Sequence, residues 1–369
     1  MGLKMSADFH DVVPQSLYQE MLAAKYIKEQ THPHHPELVI ANYTDACMWD
    51  QVWNDATMRC RGIIRNAETN KILARPYSKF FNYEQEQAPV WNLDTRLHVT
   101  EKVDGSLGIL YPTLTGDYAI ATRGSFMSEQ AAWATQHLHQ TYPRFQPDPE
   151  ITYLFEIIYP ENRVVVNYGD FRGLVLLGGV VTRTGDSIDA EALLPQWPGF
   201  AVHIHHYEAP LQEILKLPPR TNAEGFVLWN RQTDERVKIK YEDYKTLHRY
   251  LTNTTAKHVW EVLSTNQDPD EVFASAPDEF HEWLRGVVKD FREQFDAMYN
   301  AALHDYDQIQ STLPLDAPRK DFALAAQSSP HRPLLFRLYD GASTDDLIWK
   351  LLKPKGTGST VRNVSSDAD

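Results

Sequence analysis

Between about residues 37 and 240 the apolar positions fall in short runs, each closed by a turn signal. Glu37-Leu38-Val39-Ile40, Gly62-Ile63-Ile64, Leu107-Gly108-Ile109-Leu110-Tyr111 and Tyr118-Ala119-Ile120-Ala121-Thr122 are runs of this kind. Tyr153-Leu154-Phe155-Glu156-Ile157-Ile158, Leu174-Val175-Leu176-Leu177, Gly225-Phe226-Val227-Leu228-Trp229 and Val237-Lys238-Ile239-Lys240 continue the series. Short runs rich in β-branched and aromatic residues predict strands, and Thr115-Gly116-Asp117 and Thr184-Gly185-Asp186 predict turns between them. Leu17, Met21, Ala24 and Ile27 recur at helical spacing and predict a helix over Gln15 to Gln30. His32-Pro33-His34-His35-Pro36 ends that helix and reads as a loop, because its histidines lack partners at zinc-ligand spacing. A further helix is expected from Ser128 to Tyr142.

Beyond Tyr244 the period changes. Phe280, Leu284, Val287, Phe291, Phe295 and Met298 step by three and four, the signature of an amphipathic helix, with Asp278 or Ser275 as its expected cap. The fold class predicted is α+β: antiparallel sheets with flanking helices over residues 1–245, an all-helical C-terminal domain over 246–353, and a flexible tail over 354–369.

Composition changes this picture little. The chain has 369 residues, 42% hydrophobic and 23% charged, as expected of a globular protein. The longest apolar run, Gly173 to Val181, is too short to span a bilayer, and no signal peptide opens the chain. Two cysteines, Cys47 and Cys60, exclude a disulfide framework. The expectation is a cytoplasmic protein without a membrane partner.

Charge matters more. The net charge of −14 argues against nonspecific coating of nucleic acid, yet the charge is unevenly spread. Arg59, Arg61, Arg65, Lys71, Arg75 and Lys79 face only Glu68 within residues 59–79, whereas residues 261–300 carry ten acids against three bases.

The chemistry concentrates in Lys102-Val103-Asp104-Gly105-Ser106. A lysine, an acid and a Gly turn can bring an amine beside an α-phosphate. The same string is a common surface turn, and chance alone produces it in roughly 1 chain in 200 of this length. It needs company. A lysine nucleophile must shed a proton, which burial and nearby positive charge both favour. Lys238 and Lys240 share one face of a predicted strand, where two like charges suit an anion such as a triphosphate between them. The alternative is an edge strand with its lysines turned outward. Glu156 and Glu224 interrupt or border apolar runs and call for a cation. With Asp104 they are candidates to hold a hydrated Mg²⁺ against a nucleotide. Arg61-Gly62 and Lys79-Phe80-Phe81-Asn82 add bases interleaved with aromatics, suited to phosphates and stacked rings.

The ordered set Arg61-Gly62, Lys79-Phe80-Phe81-Asn82, Lys102-Val103-Asp104-Gly105-Ser106, Phe155-Glu156, Glu224-Gly225-Phe226-Val227 and Lys238-Ile239-Lys240 resembles the covalent nucleotidyltransferases, and among them the type-1 RNA ligases known from T-even phages. The resemblance covers about residues 38–250. It implies ATP as nucleotide, Mg²⁺ or Mn²⁺ as metal, and Lys102 as the residue that carries AMP. It further implies that Asp104, Glu156 and Glu224 organise the metal. Lys238 and Lys240 contact the phosphates, Lys240 the α-phosphate, and Arg61 and Lys79 contact the nucleotide phosphates or an RNA 5′-phosphate. Phe81 stacks near the adenine, Glu101 and Gly105 flank the nucleophile at the nucleotide, and Tyr244 supports the site. Arg123, within Thr122-Arg123-Gly124-Ser125, stands where relatives have lysine. Pro160-Glu161-Asn162-Arg163-Val164-Val165 is similar to the family's segment after the first glutamate. The implied partner is RNA with 5′-phosphate and 3′-hydroxyl ends, including cleaved tRNA, acted on by a monomer. DNA ligases and capping enzymes carry a β-rich domain where this chain reads helical. A non-catalytic RNA-end-binding protein is the remaining alternative.

Overall fold

The computed structural model describes residues 7–273, 278–314 and 317–354. It divides into two compact units, one ending at Tyr244 and the other beginning at Lys245.

The first unit is built from three sheets. Strands β1 (Ile27–His32), β2 (His35–Tyr43), β3 (Arg61–Asn66) and β4 (Ile72–Ala74) form an antiparallel sheet in that order. The second sheet contains β7 (Ser106–Pro112), β8 (Tyr118–Ala121), β9 (Ile151–Ile158), β10 (Gly173–Val181) and β11 (Ser187–Asp189) in the order β11-β10-β9-β7-β8, with β12 (Phe200–Ala201) parallel to β10. The third contains β5 (Phe81–Asn82), β6 (Arg96–Lys102), β13 (Ile204–Pro210), β14 (Gly225–Asn230) and β15 (Glu235–Lys240) in the order β13-β6-β14-β15-β5. All its pairs are antiparallel except β15 with β5.

The layers follow from which strand faces are apolar. Leu38, Ile40 and Ile64 of the first sheet pack on Leu107, Ile109 and Leu154 of the second. The opposite face of the first sheet, Ile27, Ala41 and Ile63, is covered by Phe9, Val13, Tyr18 and Met21 from the N-terminal helices. The opposite face of the second sheet packs Phe155, Ile157 and Leu176 against Trp197 and helix Glu129–Thr141. β9 is thus buried on both faces, which explains its almost unbroken apolar run.

Helix Glu129–Thr141 agrees with the expected span, with Ser128 as its N-cap. The helix expected over Gln15 to Gln30 does not. It stops at Ala23, and Ile27 begins β1. Lys25 adopts φ 62°, its N–H bonds Leu22 O, and the Tyr26 N–H bonds Met21 O at 2.9 Å. This closes the helix as a glycine would, but with lysine in the left-handed position. Ile27 therefore keeps its apolar role in another element, opposite Tyr43. Of the histidine segment read as a loop, only Pro33 and His34 connect β1 and β2; His32 ends β1 and pairs with His35, which opens β2.

Every secondary-structure element of the second unit among its described residues is a helix. Its long helix, Asp278–Thr312, packs Phe295 and Met298 with Leu334 and Ile348, and Tyr306 and Ile309 with Phe322 and Leu335. Leu284 and Phe291 of the predicted stripe are buried. Ser275 and the tail beyond Pro354 lie outside the described residues. No helix among the described residues is long and apolar enough to cross a membrane.

Candidate active site

Lys102 closes β6 in the third sheet, and Ser106 opens β7 in the second. Val103-Asp104-Gly105 is the crossover between the two sheets, so the motif lies where they meet. A Cβ on Gly105 would stand 2.6 Å from the Ile157 carbonyl, and only glycine lets the turn sit that close to β9.

Register brings the distant pieces to this turn. Gly225 pairs with Lys102 on one side and with Lys240 on the other, which sets Glu224 between the two lysines. Gly225 has φ 148°, and a Cβ there would lie 1.8 Å from the Ile239 carbonyl. Glu224 is 1% exposed. Its Oε2 accepts from Lys102 Nζ at 2.9 Å, and its Oε1 lies 3.2 Å from Lys240 Nζ. Glu156 comes from β9, where it pairs with Leu107 across and Val175 behind.

Lys102 departs from the expected electrostatics. Burial does push its proton affinity down, but Glu224, Glu156 and Asp104 outweigh burial and raise it to about 12. The amine is held as an ammonium by carboxylates rather than loosened by neighbouring cations. Lys238 and Lys240 are buried on a strand flanked by β14 and β5, so they are not the solvent-facing lysines of an edge. The charge between Lys240 and Lys102 is already present in the protein, as Glu224.

The three acids have separate duties. Asp104 Oδ2 accepts from the N–H groups of Val165 and Val166 at 2.8 and 2.7 Å, and its Oδ1 from the Tyr244 hydroxyl at 2.8 Å. Burial raises its pKa to about 6, Glu224 adds to this, and the three hydrogen bonds oppose it. Its own N–H donates to the Tyr168 hydroxyl at 2.8 Å. Glu156 is buried and accepts no hydrogen bond from any described residue. Burial raises its pKa to about 8, against the pull of Lys102. Among the described residues no group of three or more His, Cys, Asp or Glu is disposed around a single metal position.

A cavity of about 100 Å³ opens beside Lys102, lined by Arg61, Glu101, Gly105, Glu156 and Lys238 and by the apolar side chains of Leu177, Val202 and Val227. The Glu101 carboxylate lies 3.4 Å from Arg220. Phe80 faces this cavity, with the Arg61 guanidinium 5.5 Å from its ring centre. Phe81 does not line it; it is buried edge-on against Trp53. Lys79 lies over Tyr43, Trp53 and Phe81 and lines the adjoining cavity instead. Arg123 is fully buried against Tyr43, donating to its hydroxyl at 2.5 Å. Tyr244, in the first turn of helix Glu242–Asn253, lies under Lys240 at 5.3 Å.

Residues not foreseen at the site are Tyr168 and the backbone of Val165 and Val166. Backbone donors leave no mark in a sequence, although the adjoining segment Pro160 to Val165 had drawn notice by resemblance.

Residues 59–251 match a family model described as RNA ligase, of the T4 type-1 kind. A protein of Rhodothermus phage RM378 named RNA ligase is 22% identical over 90% of each chain. A provisionally named bifunctional polynucleotide kinase/RNA ligase of Autographa californica nuclear polyhedrosis virus is 23% identical over 86% of this chain, which spans 47% of that protein's length. A solved structure described as an archaeal ATP-dependent RNA ligase, form 1, is 14% identical with a TM-score of 0.48, covering 77% of this chain and 80% of that one. With the model matching more than half of its residues, this chain belongs to the T4 type-1 RNA ligase family.

Proposed function

We propose that this chain is an ATP-dependent RNA ligase that works through a lysyl-AMP intermediate. The observation that carries the proposal is the Lys102–Glu224–Lys240 bridge, buried beside a cavity that Lys238 and Arg61 also line. An amine with a proton acceptor, Arg61 and Lys238 lining one cavity and Lys240 on the same acceptor suit attack on a phosphate.

The ammonium of Lys102 must first lose a proton, and Glu224 Oε2 at 2.9 Å is positioned to accept it. Lys102 Nζ then bonds to the α-phosphorus of ATP, and the bond to the bridging oxygen of pyrophosphate breaks. Lys238, Lys240 and Arg61 offset the charge that develops on the phosphoryl oxygens. The apolar wall of Leu177, Val202 and Val227 suits the base. AMP next passes from Lys102 to the 5′-phosphate of an RNA end. The 3′-hydroxyl of a second end attacks that phosphate, and AMP leaves.

A divalent cation would supply positive charge at the phosphates and favour the neutral amine. Glu156, buried and without a donor among the described residues, is the carboxylate suited to hold it. Asp104 already accepts from Val165, Val166 and Tyr244 and positions the turn. A site with one or two carboxylates that takes its other ligands from water and phosphate suits Mg²⁺ better than a protein-only cage.

Incubation with α-labelled ATP and Mg²⁺ should label the protein, and Lys102→Ala should abolish the label. Sealing should then be compared on single-stranded RNA, nicked duplexes and a cleaved stem-loop of the tRNA anticodon type. No label with ATP, label with GTP only, or sealing of nicked DNA alone would overturn the proposal.

A further inference from the structure

Arg75 stands where two cavities of the N-terminal unit meet. One, of about 320 Å³, is walled by Tyr77, Lys79 and Phe80, and it shares Tyr77 and Phe80 with the Lys102 cavity. The other is an open groove of about 550 Å³ lined by Arg59, Lys71 and Arg183 together with Asp8 and Asp11. Arg75 lines both.

Its guanidinium is half-buried, yet it makes no ion pair or hydrogen bond with any described residue; only its backbone N–H is engaged, by Thr152 Oγ1 at 2.9 Å. It is held by shape. The Gly185 turn lies against it so closely that a Cβ there would stand 2.4 Å from Arg75 Cζ. Burial and the like charge of Arg59 push the guanidinium below its ordinary value, with Asp186 and Asp234 opposing. Two of the neighbouring cations are weakly satisfied: Lys71 lies 4.0 Å from Asp8, and Arg183 is exposed with no partner among the described residues, whereas Arg59 donates to the Val12 carbonyl and lies 3.5 Å from an exposed Asp55.

A half-buried charge without a counter-ion costs free energy that an anionic ligand would recover. A single small anion would need one such site. Over the two cavities six cations, Arg59, Lys71, Arg75, Lys79, Arg183 and Arg236, outnumber four acids, Asp8, Asp11, Asp234 and Glu235, and they are spread from open groove to aromatic wall. Spaced positive charge followed by cavity-lining aromatic rings, here the partly buried Tyr77 and Phe80, is an arrangement that takes a single nucleic acid strand, phosphates on the cations and bases on the rings. Building on the RNA ligase reading, we infer that the groove from Arg183 through Arg75 to Phe80 binds the phosphodiester backbone of the RNA strand that enters the Lys102 cavity.

The test is binding of a 5′-phosphorylated single-stranded RNA of roughly 12 nucleotides, followed by fluorescence anisotropy across a salt series. Lysyl-AMP formation from labelled ATP is measured beside it. Arg75→Ala and Arg183→Glu should each raise Kd by about 5- to 10-fold and flatten the salt slope by about 0.7 per lost phosphate contact. Lysyl-AMP formation should not change. Arg75→Lys should restore most of the affinity. If Arg75→Ala melts early, the exposed Arg183→Glu carries the test alone. Unchanged Kd and slope in a protein that still forms lysyl-AMP and binds RNA would overturn the groove. A wild-type protein that neither labels nor binds RNA would instead overturn the reading beneath it.

Discussion

Beside the Lys102 cavity, Lys102 and Lys240 share a carboxylate within 3.2 Å, whereas in the groove along Arg75 a half-buried guanidinium has none among the described residues. The contrast separates two ways of preparing for a phosphate. Inside the cavity, charge is balanced before any ligand arrives, so the nucleophile is stored as an ammonium and must be released. In the groove, the counter-charge is left to the ligand. Balanced charge holds reacting atoms in register at the cost of a proton to remove. Unbalanced charge binds a strand without specifying its sequence. Mutations should therefore act on chemistry in the first region and on affinity in the second.

Removing Glu224 should be the severest way to break the balanced region without touching the nucleophile. Glu224→Ala leaves two buried ammonium groups without their shared acceptor, and breaking a buried pair costs about 3–5 kcal/mol. Chemical denaturation should register this loss. The milder Glu224→Gln removes the charge and keeps the shape. Burial should then dominate at Lys102 and lower its proton affinity from about 12. The alkaline rise of lysyl-AMP formation should move to lower pH, although its ceiling falls because the proton acceptor is gone. An unmoved profile would mean that Glu224 does not set the charge state of Lys102.

Glu156 sharpens the comparison from the opposite side, as the buried acid without a donor. Its folded pKa of about 8 lies above the ordinary value of 4.5. Between those values the folded protein keeps a proton that the unfolded chain releases, so stability falls as pH rises through this window. Glu156→Gln removes the titration. Its melting temperature should fall less than that of the wild type between pH 5 and 8, and above pH 8 the variant should be the more stable protein. Labelling with ATP and Mg²⁺ should drop sharply in the same variant. Parallel pH profiles for the two proteins would show that Glu156 ionises at no cost.

The legibility of these features in the sequence follows from how each is encoded. β14 and β15 were plain because apolar runs and the alternation of Lys238 with Val237 and Ile239 are local. β6, which carries Lys102, gave no such run. Its apolar positions are Leu97 and Val99 alone, and its opposite face buries a polar residue, His98, whose imidazole pairs with Arg231. The stop at Lys25 was hidden because the closing position holds lysine where glycine is usual. The protonation of Lys102 is not legible in the sequence because its controlling carboxylate is 122 residues away, and only strand register reveals that they touch. Between Phe80 and Phe81 a strand pattern cannot choose until the sheet is built; adjacent residues face opposite ways, and Phe80 reaches the cavity.

The smallest expected effect lies at the edge of the balanced region. Tyr244→Phe deletes one of three hydrogen bonds to Asp104 and leaves the two from Val165 and Val166. Losing a hydrogen bond to a buried carboxylate costs about 1–3 kcal/mol, and the surviving donors favour the lower end. The same bond holds the Asp104 proton affinity down, so its pKa should rise from about 6. Asp104 would then be neutral over a wider acidic range. The acid limb of lysyl-AMP formation should move to higher pH while the rate at pH 8 changes little. This displacement separates a hydroxyl that tunes Asp104 from one that only fills space, because Phe fills the same space and a packing role would leave the acid limb where it was.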